Sequence, residues 1–188
     1  MSRTISMKIG SQDLNFENSL VRIVANRSCP EIKLAGLDVG PFEEGNEYEV
    51  YHWVALELAK SGVAHFRQEE LDATRLNKIQ WTERIQTPGQ ISGLPDDFYP
   101  KLRRCLANIK GEMAKEPEKM REYERIKHLT QDIINSRLKK IVSMASAPDQ
   151  TDNTLRNLTE EEKYLYEQLH KLVSLWKAQI LEYKKEPE

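Results

Sequence analysis

Two carboxylate runs at expected helix starts, Asp96-Asp97 and Glu160-Glu161-Glu162, hold acids close enough together for acid–base chemistry. Both stand where helices are expected to begin, and a carboxylate there caps backbone N–H groups. Thr159 followed by Glu162 has the Thr-x-x-Glu form of a capping box. The histidines, His52, His65, His128 and His170, never fall in a His-Glu-x-x-His or His-x-His arrangement. Cys29 and Cys105 lie too far apart for a Cys-x-x-Cys knuckle and read as free thiols in packed positions. The chain holds no Gly-x-x-x-x-Gly-Lys-Ser/Thr, no Gly-x-Ser-x-Gly and no Gly-x-Gly-x-x-Gly. Nucleotide hydrolysis and acyl transfer are therefore without a motif, and neither metal nor cofactor is expected. Trp53, Trp81 and Trp176 could stack on bases or a cofactor. Trp53 and Trp176 lie on apolar helical stripes, which makes them core or interface anchors.

One further chemistry is phosphate binding. Residues 101–140 carry 12 basic and 6 acidic groups, a local charge of +6 in a chain of net −2. Lys101, Arg103, Arg104, Lys110, Arg137, Lys139 and Lys140 make up much of that excess and could face a phosphate backbone. The opposing reading is that acidic helices neutralise the block inside the fold. A DNA-binding transcriptional regulator with a helical dimerisation arm is the functional alternative resting on this block.

The elements that must position these residues fall into two zones. The 188 residues leave room for one ordinary domain or for a small and a larger one. With 39% hydrophobic and 31% charged residues, the chain is expected to be soluble, charge-rich and largely helical, and an obligately disordered polyelectrolyte is excluded. No apolar run approaches the roughly 20 residues of a membrane helix, and Met1–Met7 lacks the apolar core of a signal peptide. The expected location is inside the cell.

Residues 1–65 hold five of the eight glycines and read as a small β-rich domain. Ile5, Met7 and Ile9 alternate with polar residues, Leu20–Val24 is a β-branched run and Ile32–Leu34 is a further short strand. Gly40-Pro41-Phe42-Glu43-Glu44-Gly45 supplies turns. Residues 48–59 then show helical spacing, with Val50, Trp53, Val54 and Leu58 on one face and Gly62 as the stop.

Residues 66–188 read as a mainly α-helical bundle, so the expected class is α+β. A helix over 69–86 is anchored by Leu71, Ile79 and Trp81 and broken by Thr87–Gly93. A second starts at Asp97 and carries Leu102, Cys105, Leu106, Ile109 and Met113. A long helix from Pro117 to about Ala145 holds Met120, Tyr123, Ile126, Ile133, Ile134, Leu138, Ile141 and Val142 in period. After a polar loop at 146–154, the last helix bears Leu165, Leu169, Leu172, Val173, Trp176 and Ile180, and its end at 184–188 is expected to fray. The surplus of aromatic, Leu and Ile side chains on these helices suits a permanent subunit interface.

The order of these features carries a resemblance. A small β-rich domain ending in Gly40–Gly45 and Val50–Leu58 comes first. Leu94-Pro95-Asp96-Asp97-Phe98-Tyr99-Pro100-Lys101-Leu102-Arg103 follows, then a long helix closing on Arg137–Ile141, and Leu158–Glu162 opens the last helix. Together these resemble GINS over most of the chain, in the class that places the small domain first. Leu94–Arg103 and Arg137–Ile141 are also similar to the class with the opposite order. The short length and compact loops look archaeal, which implies cytoplasm or nucleoid; a eukaryotic chain would be nuclear.

What the resemblance implies is a non-enzymatic scaffold. GINS subunits assemble as tetramers through their helical domains and join the MCM helicase ring and a RecJ-like protein to make the active replicative helicase. Leu102, Leu106, Tyr123, Ile133, Leu165 and Trp176 become candidates for core or subunit contacts. Trp53 and Phe42, in the small domain, become candidates for partner docking. Contact with DNA is expected to be weak or indirect.

Overall fold

In a computed structural model, which describes residues 2–34, 36–67, 71–87, 90–113, 117–147 and 152–181, the chain forms two compact units, Met1–Glu70 and Leu71–Glu188.

The first unit is organised around β1 (Leu20–Ala25), whose β-branched residues favour an extended, half-buried strand. It pairs antiparallel with β4 (Glu47–Tyr51) on one side and β5 (Ala64–Phe66) on the other. Along β4, Val50 turns into the core while Glu47 and Glu49 face water, and such charges discourage further pairing at an edge strand. Arg22 meets Glu49 at 3.1 Å and Arg67 meets Glu47 at 2.6 Å on that outer face. A separate hairpin joins β2 (Ile32–Leu34) to β3 (Leu37–Val39). Helix α2 (His52–Lys60) lays Val54, Ala55 and Leu58 over Ile23, Val39, Phe42 and Val50 to complete the core.

Two expectations are corrected here. The alternation at Ile5, Met7 and Ile9 is not a strand: Ser2–Glu17 is helix α1. Three alternating residues are too short a signal to outweigh a proline-free run, and Asn18 and Ser19 end the helix by donating side-chain hydrogen bonds to Leu14 O and Phe16 O. Near its end Phe16 packs on His52, with ring centroids 4.3 Å apart. Residues 48–51 are strand rather than helix, because Tyr48 and Val50 share the two-residue period of their partners Ile23 and Val21. Trp53 consequently lies on the outer side of α2.

Gly40 adopts φ +98°, and a Cβ there would stand 3.2 Å from the Phe42 ring. Gly40→Ala therefore strains the backbone and pushes on a fully buried aromatic. We expect a loss of about 1–3 kcal/mol in a denaturant titration, with the far-ultraviolet spectrum unchanged.

The second unit consists of α3 (Ala73–Ile85), α4 (Phe98–Met113), α5 (Pro117–Ser146), the short α6 (Asp152–Arg156) and α7 (Glu160–Leu181). Asp72 caps α3 by accepting the Arg75 N–H at 2.8 Å. The expected start of that helix at Glu69 lies outside the described residues. Asp97 precedes α4, and its carbonyl accepts the Lys101 N–H. The central element is α5, against which α3, α4 and α7 all pack; its 30 residues span roughly 45 Å. Part of the expected polar loop is helix α6, residues 148–151 and the terminal residues 182–188 lying outside the described ones.

Two apolar clusters follow one another along α5. Ile126, Leu129 and Ile133 meet Leu76, Phe98, Leu102 and Ile109. Further on, Ile141, Met144 and Ala145 meet Ile91, Leu158 and Tyr166. The breaker segment thus contributes a core residue, Ile91. Trp81, expected as an anchor, points outward instead: Leu76 and Glu83 set the buried face of α3, and two residues back from Glu83 lies about 160° away around the helix.

Candidate assembly site: a buried charge layer and an uncovered helix face

Between the two apolar clusters α5 turns two cations inward. Arg137 is 0% exposed, yet each of its five N–H groups has an acceptor. Its Nε donates to Glu162 Oε1 at 2.5 Å and Nη2 to Glu162 Oε2 at 2.7 Å, a bidentate pair. Nη1 donates to Glu83 Oε1 at 2.7 Å and to Ser92 O at 2.9 Å, and Nη2 also reaches Asn157 O at 3.2 Å. Lys140 spends its three protons on Glu83 Oε2 at 2.6 Å, Glu83 O at 3.0 Å and Gln86 Oε1 at 3.0 Å.

The carboxylates are equally well served. Glu83 also accepts from Ser92 Oγ, and Glu162 from Tyr99 Oη at 2.7 Å. Glu162 closes the capping box as well: its Oε2 accepts the Thr159 N–H while Thr159 Oγ1 accepts the Glu162 N–H. Two positive and two negative charges therefore form a neutral, satisfied layer that touches α3, α4, α5 and α7.

The layer's protonation follows from these contacts. Burial alone would push the Glu83 carboxyl up, but hydrogen bonds from Lys140 and Ser92 and the charges of Arg137 and Lys140 outweigh it and hold the carboxyl below its ordinary 4.5. Burial opposes the charge on Arg137, and its bonds and proximity to Glu162 more than restore it. Burial, helped by the Glu162 charge, drives the Tyr99 hydroxyl well above the usual phenol range, so it remains a donor.

A depressed carboxylate adds stability that is present above 4.5 and disappears as pH falls through the lower folded value, because the unfolded chain then binds the extra proton. Thermal unfolding followed from pH 7 to 3.5 should show a midpoint that declines below about 4.5. Glu83→Gln should flatten that decline; an equal slope in both proteins would locate the acid sensitivity elsewhere.

Beyond the layer, α7 outruns its packing. Leu165 and Leu169 rest on the second apolar cluster. The same stripe then continues uncovered: Leu172 is 53% exposed, Trp176 60% and Ile180 65%, with Leu175 beside them. Lys177 Nζ donates to Ser146 O, the last residue of α5. A second outward line runs along α5 through Ile134, Leu138 and Val142, spaced four residues apart.

The residues from 66 to 181 match the family model described as the GINS complex protein helical bundle domain, well over half of the chain. The chain belongs to the GINS family. Residues 12–66 match a second model, the PSF2 N-terminal domain, so the small domain precedes the helical one in this GINS chain. The human DNA replication complex GINS protein PSF2 is 28% identical over 126 residues, covering 66% of this chain. The match covers 64% of that human protein's length.

The residues singled out from the sequence separate clearly. Leu102 and Ile133 are interior to the bundle, Leu106 and Tyr123 pack half-buried at the edge of the first cluster, and Leu165 does so at the second. Trp176 is open to solvent. In the small unit Phe42 is sealed in the core of this chain, whereas Trp53 remains 39% exposed. Part of the basic block is internal: Arg137 and Lys140 are buried and paired, Arg103 meets Glu161 at 3.5 Å and Lys101 donates to Asp96 O, while Lys110 and Lys139 stay exposed. Among the described residues, no group of His, Cys, Asp or Glu is placed to hold a metal ion, and no helix is long and apolar enough to cross a membrane.

Sequence reasoning missed the charge layer. From the sequence Arg137 and Lys140 fall in the basic block and Glu162 in a capping box, and no motif marks Glu83. The signal was present as Arg137 and Lys140 standing three apart within an otherwise apolar stripe.

Proposed function

We propose that this chain is a non-enzymatic scaffold subunit of a GINS tetramer, and that the tetramer joins and activates the MCM replicative helicase together with a RecJ-like protein. The uncovered stripe of α7, Leu172, Leu175, Trp176 and Ile180, carries the reading. A run of large apolar side chains this exposed on a long helix is the surface that a permanent subunit contact buries. Trp176, an aromatic at its centre, has the character of an interface anchor. Family membership supplies the partner class, the other GINS subunits.

In this reading Leu165 lies at the edge of the contact, Leu102, Leu106, Tyr123 and Ile133 shape the other end of the bundle around the first cluster, and Trp53 on α2 docks a helicase component. The assembly works inside the cell on the replicating genome, and its contact with DNA is indirect. The regulator alternative has lost its footing, since its two central cations are internal. A pull-down tests the helicase role: tagged MCM should retain the four-chain GINS assembly, and Trp53→Ala should weaken retention without dissociating GINS. Retention unchanged by Trp53→Ala would remove that docking role; no retention of the intact assembly would remove the helicase function.

A further inference from the structure

The apolar pattern of α7 does not by itself say where the helix should sit along α5. Leu165, Leu169, Leu172 and Val173, Trp176 and Ile180 recur every three or four residues, so a shift by one turn, about 5.4 Å, replaces one apolar contact with another. The facing surface of α5 is similarly apolar through Ile141, Met144 and Ala145. The connection ends in Asn157, which donates to Ile91 O, and in Leu158, which is buried in the second apolar cluster.

The charged layer breaks this degeneracy. Glu162 is the one fully buried acid of α7 among the described residues, its neighbour Glu161 being partly buried toward Arg103 of α4, and one turn further along from Glu162 the position is Tyr166. A slip that kept the leucines packed would put Tyr166 opposite Arg137 and leave Glu83 as the one carboxylate for two buried cations. It would also strip Asn157 O and the capping-box carboxylate from the guanidinium.

We infer that Arg137, with Glu162, Glu83 and Lys140, is a register key that fixes the position of α7 along α5, and that this, more than net stabilisation, is what the layer contributes. A buried polar group that selects one register out of several apolar ones is a known use of such groups, and apolar replacements of buried ion pairs are often no less stable. The inference concerns the chain by itself and does not depend on the partner reading. It has a consequence for that reading, since the register decides how far the uncovered part of α7 projects.

The test uses the full chain with Cys29 and Cys105 replaced by Ser, and spin labels at the exposed positions Lys139 and Glu167. Double electron–electron resonance should give one narrow distance distribution for the native layer. In a charge-free variant, Glu83→Gln, Arg137→Met, Lys140→Met and Glu162→Gln, cooperative unfolding should persist and the distribution should broaden or split, with a component displaced by about one turn. A charge-free variant with the same single narrow distance would overturn the proposal. So would one that fails to fold while Arg137→Met alone still folds, because the layer would then be a stabilising element. If neither folds, the milder Glu162→Gln decides: a distribution unchanged from the native one overturns the register role, and a broadened one supports it.

Discussion

Arg137→Met should lower the stability of the helical unit by about 3–5 kcal/mol, a fall in Tm of roughly 10–20 °C. The cause is less the lost attraction than what remains behind. Glu83 keeps Lys140 and Ser92, but Glu162 is left with Tyr99 and the Thr159 N–H as its donors, at a site almost closed to water. Ser92 O and Asn157 O lose their donors as well. A buried carboxylate stripped of its cation retains its desolvation cost without the compensation. Arg137→Lys should recover little, since an ammonium cannot present a fork to Glu162 while reaching Glu83 and two carbonyls. Differential scanning calorimetry of the three proteins at pH 7 checks this. A loss under about 1 kcal/mol for Arg137→Met would mean that the layer relaxes or hydrates freely.

Trp176→Asp should act in the opposite way, leaving the isolated chain intact and breaking the assembly. Trp176 is 60% exposed in the free chain, so the substitution removes little internal packing, and its unfolding midpoint should stay within the scatter of surface variants. In the assembly the same position would force a carboxylate into an apolar contact. Truncating a central aromatic anchor costs 2 kcal/mol or more, about 30-fold in Kd, and the buried charge adds to that. Native mass spectrometry of co-expressed subunits should show this chain released. An intact assembly carrying Trp176→Asp would mean that the α7 stripe faces water in the complex too.

The comparison between sequence and structure divides along physical lines. Helical periods carried well: α4, α5 and α7 lie close to where repeated three- and four-residue spacing placed them, because burial of one face over many turns leaves a redundant signal. Short signals carried poorly. Three alternating residues at Ile5–Ile9 gave the wrong period, and Val50 lies at a strand-to-helix junction where both periods fit. Trp81 shows that a large apolar residue need not face inward when its neighbours on the helix set the buried side. The charge layer shows in the sequence only as two cations within the apolar stripe of α5, for a different reason. Its members come from residues 83, 137, 140 and 162, and only the tertiary fold brings them together. Charge type in the sequence marks Arg137 and Lys140 as surface residues by default.

The assembly face was half legible. Periodicity reports the direction in which a stripe points and not whether this chain or another covers it, so Leu102, Ile133 and Trp176 looked equivalent from the sequence. The fold separates them, because α5 ends at Ser146 while α7 runs on past its packing.

The most direct test of the scaffold reading is light scattering after size exclusion, on the full chain alone and then co-expressed with the other GINS subunits of the same genome. The account predicts a stable four-chain particle, about four times 21.9 kDa if its partners are of similar size, in which this chain is retained. A well-behaved monomer at 21.9 kDa, indifferent to those subunits, would contradict it and assign the uncovered stripe of α7 to some other contact.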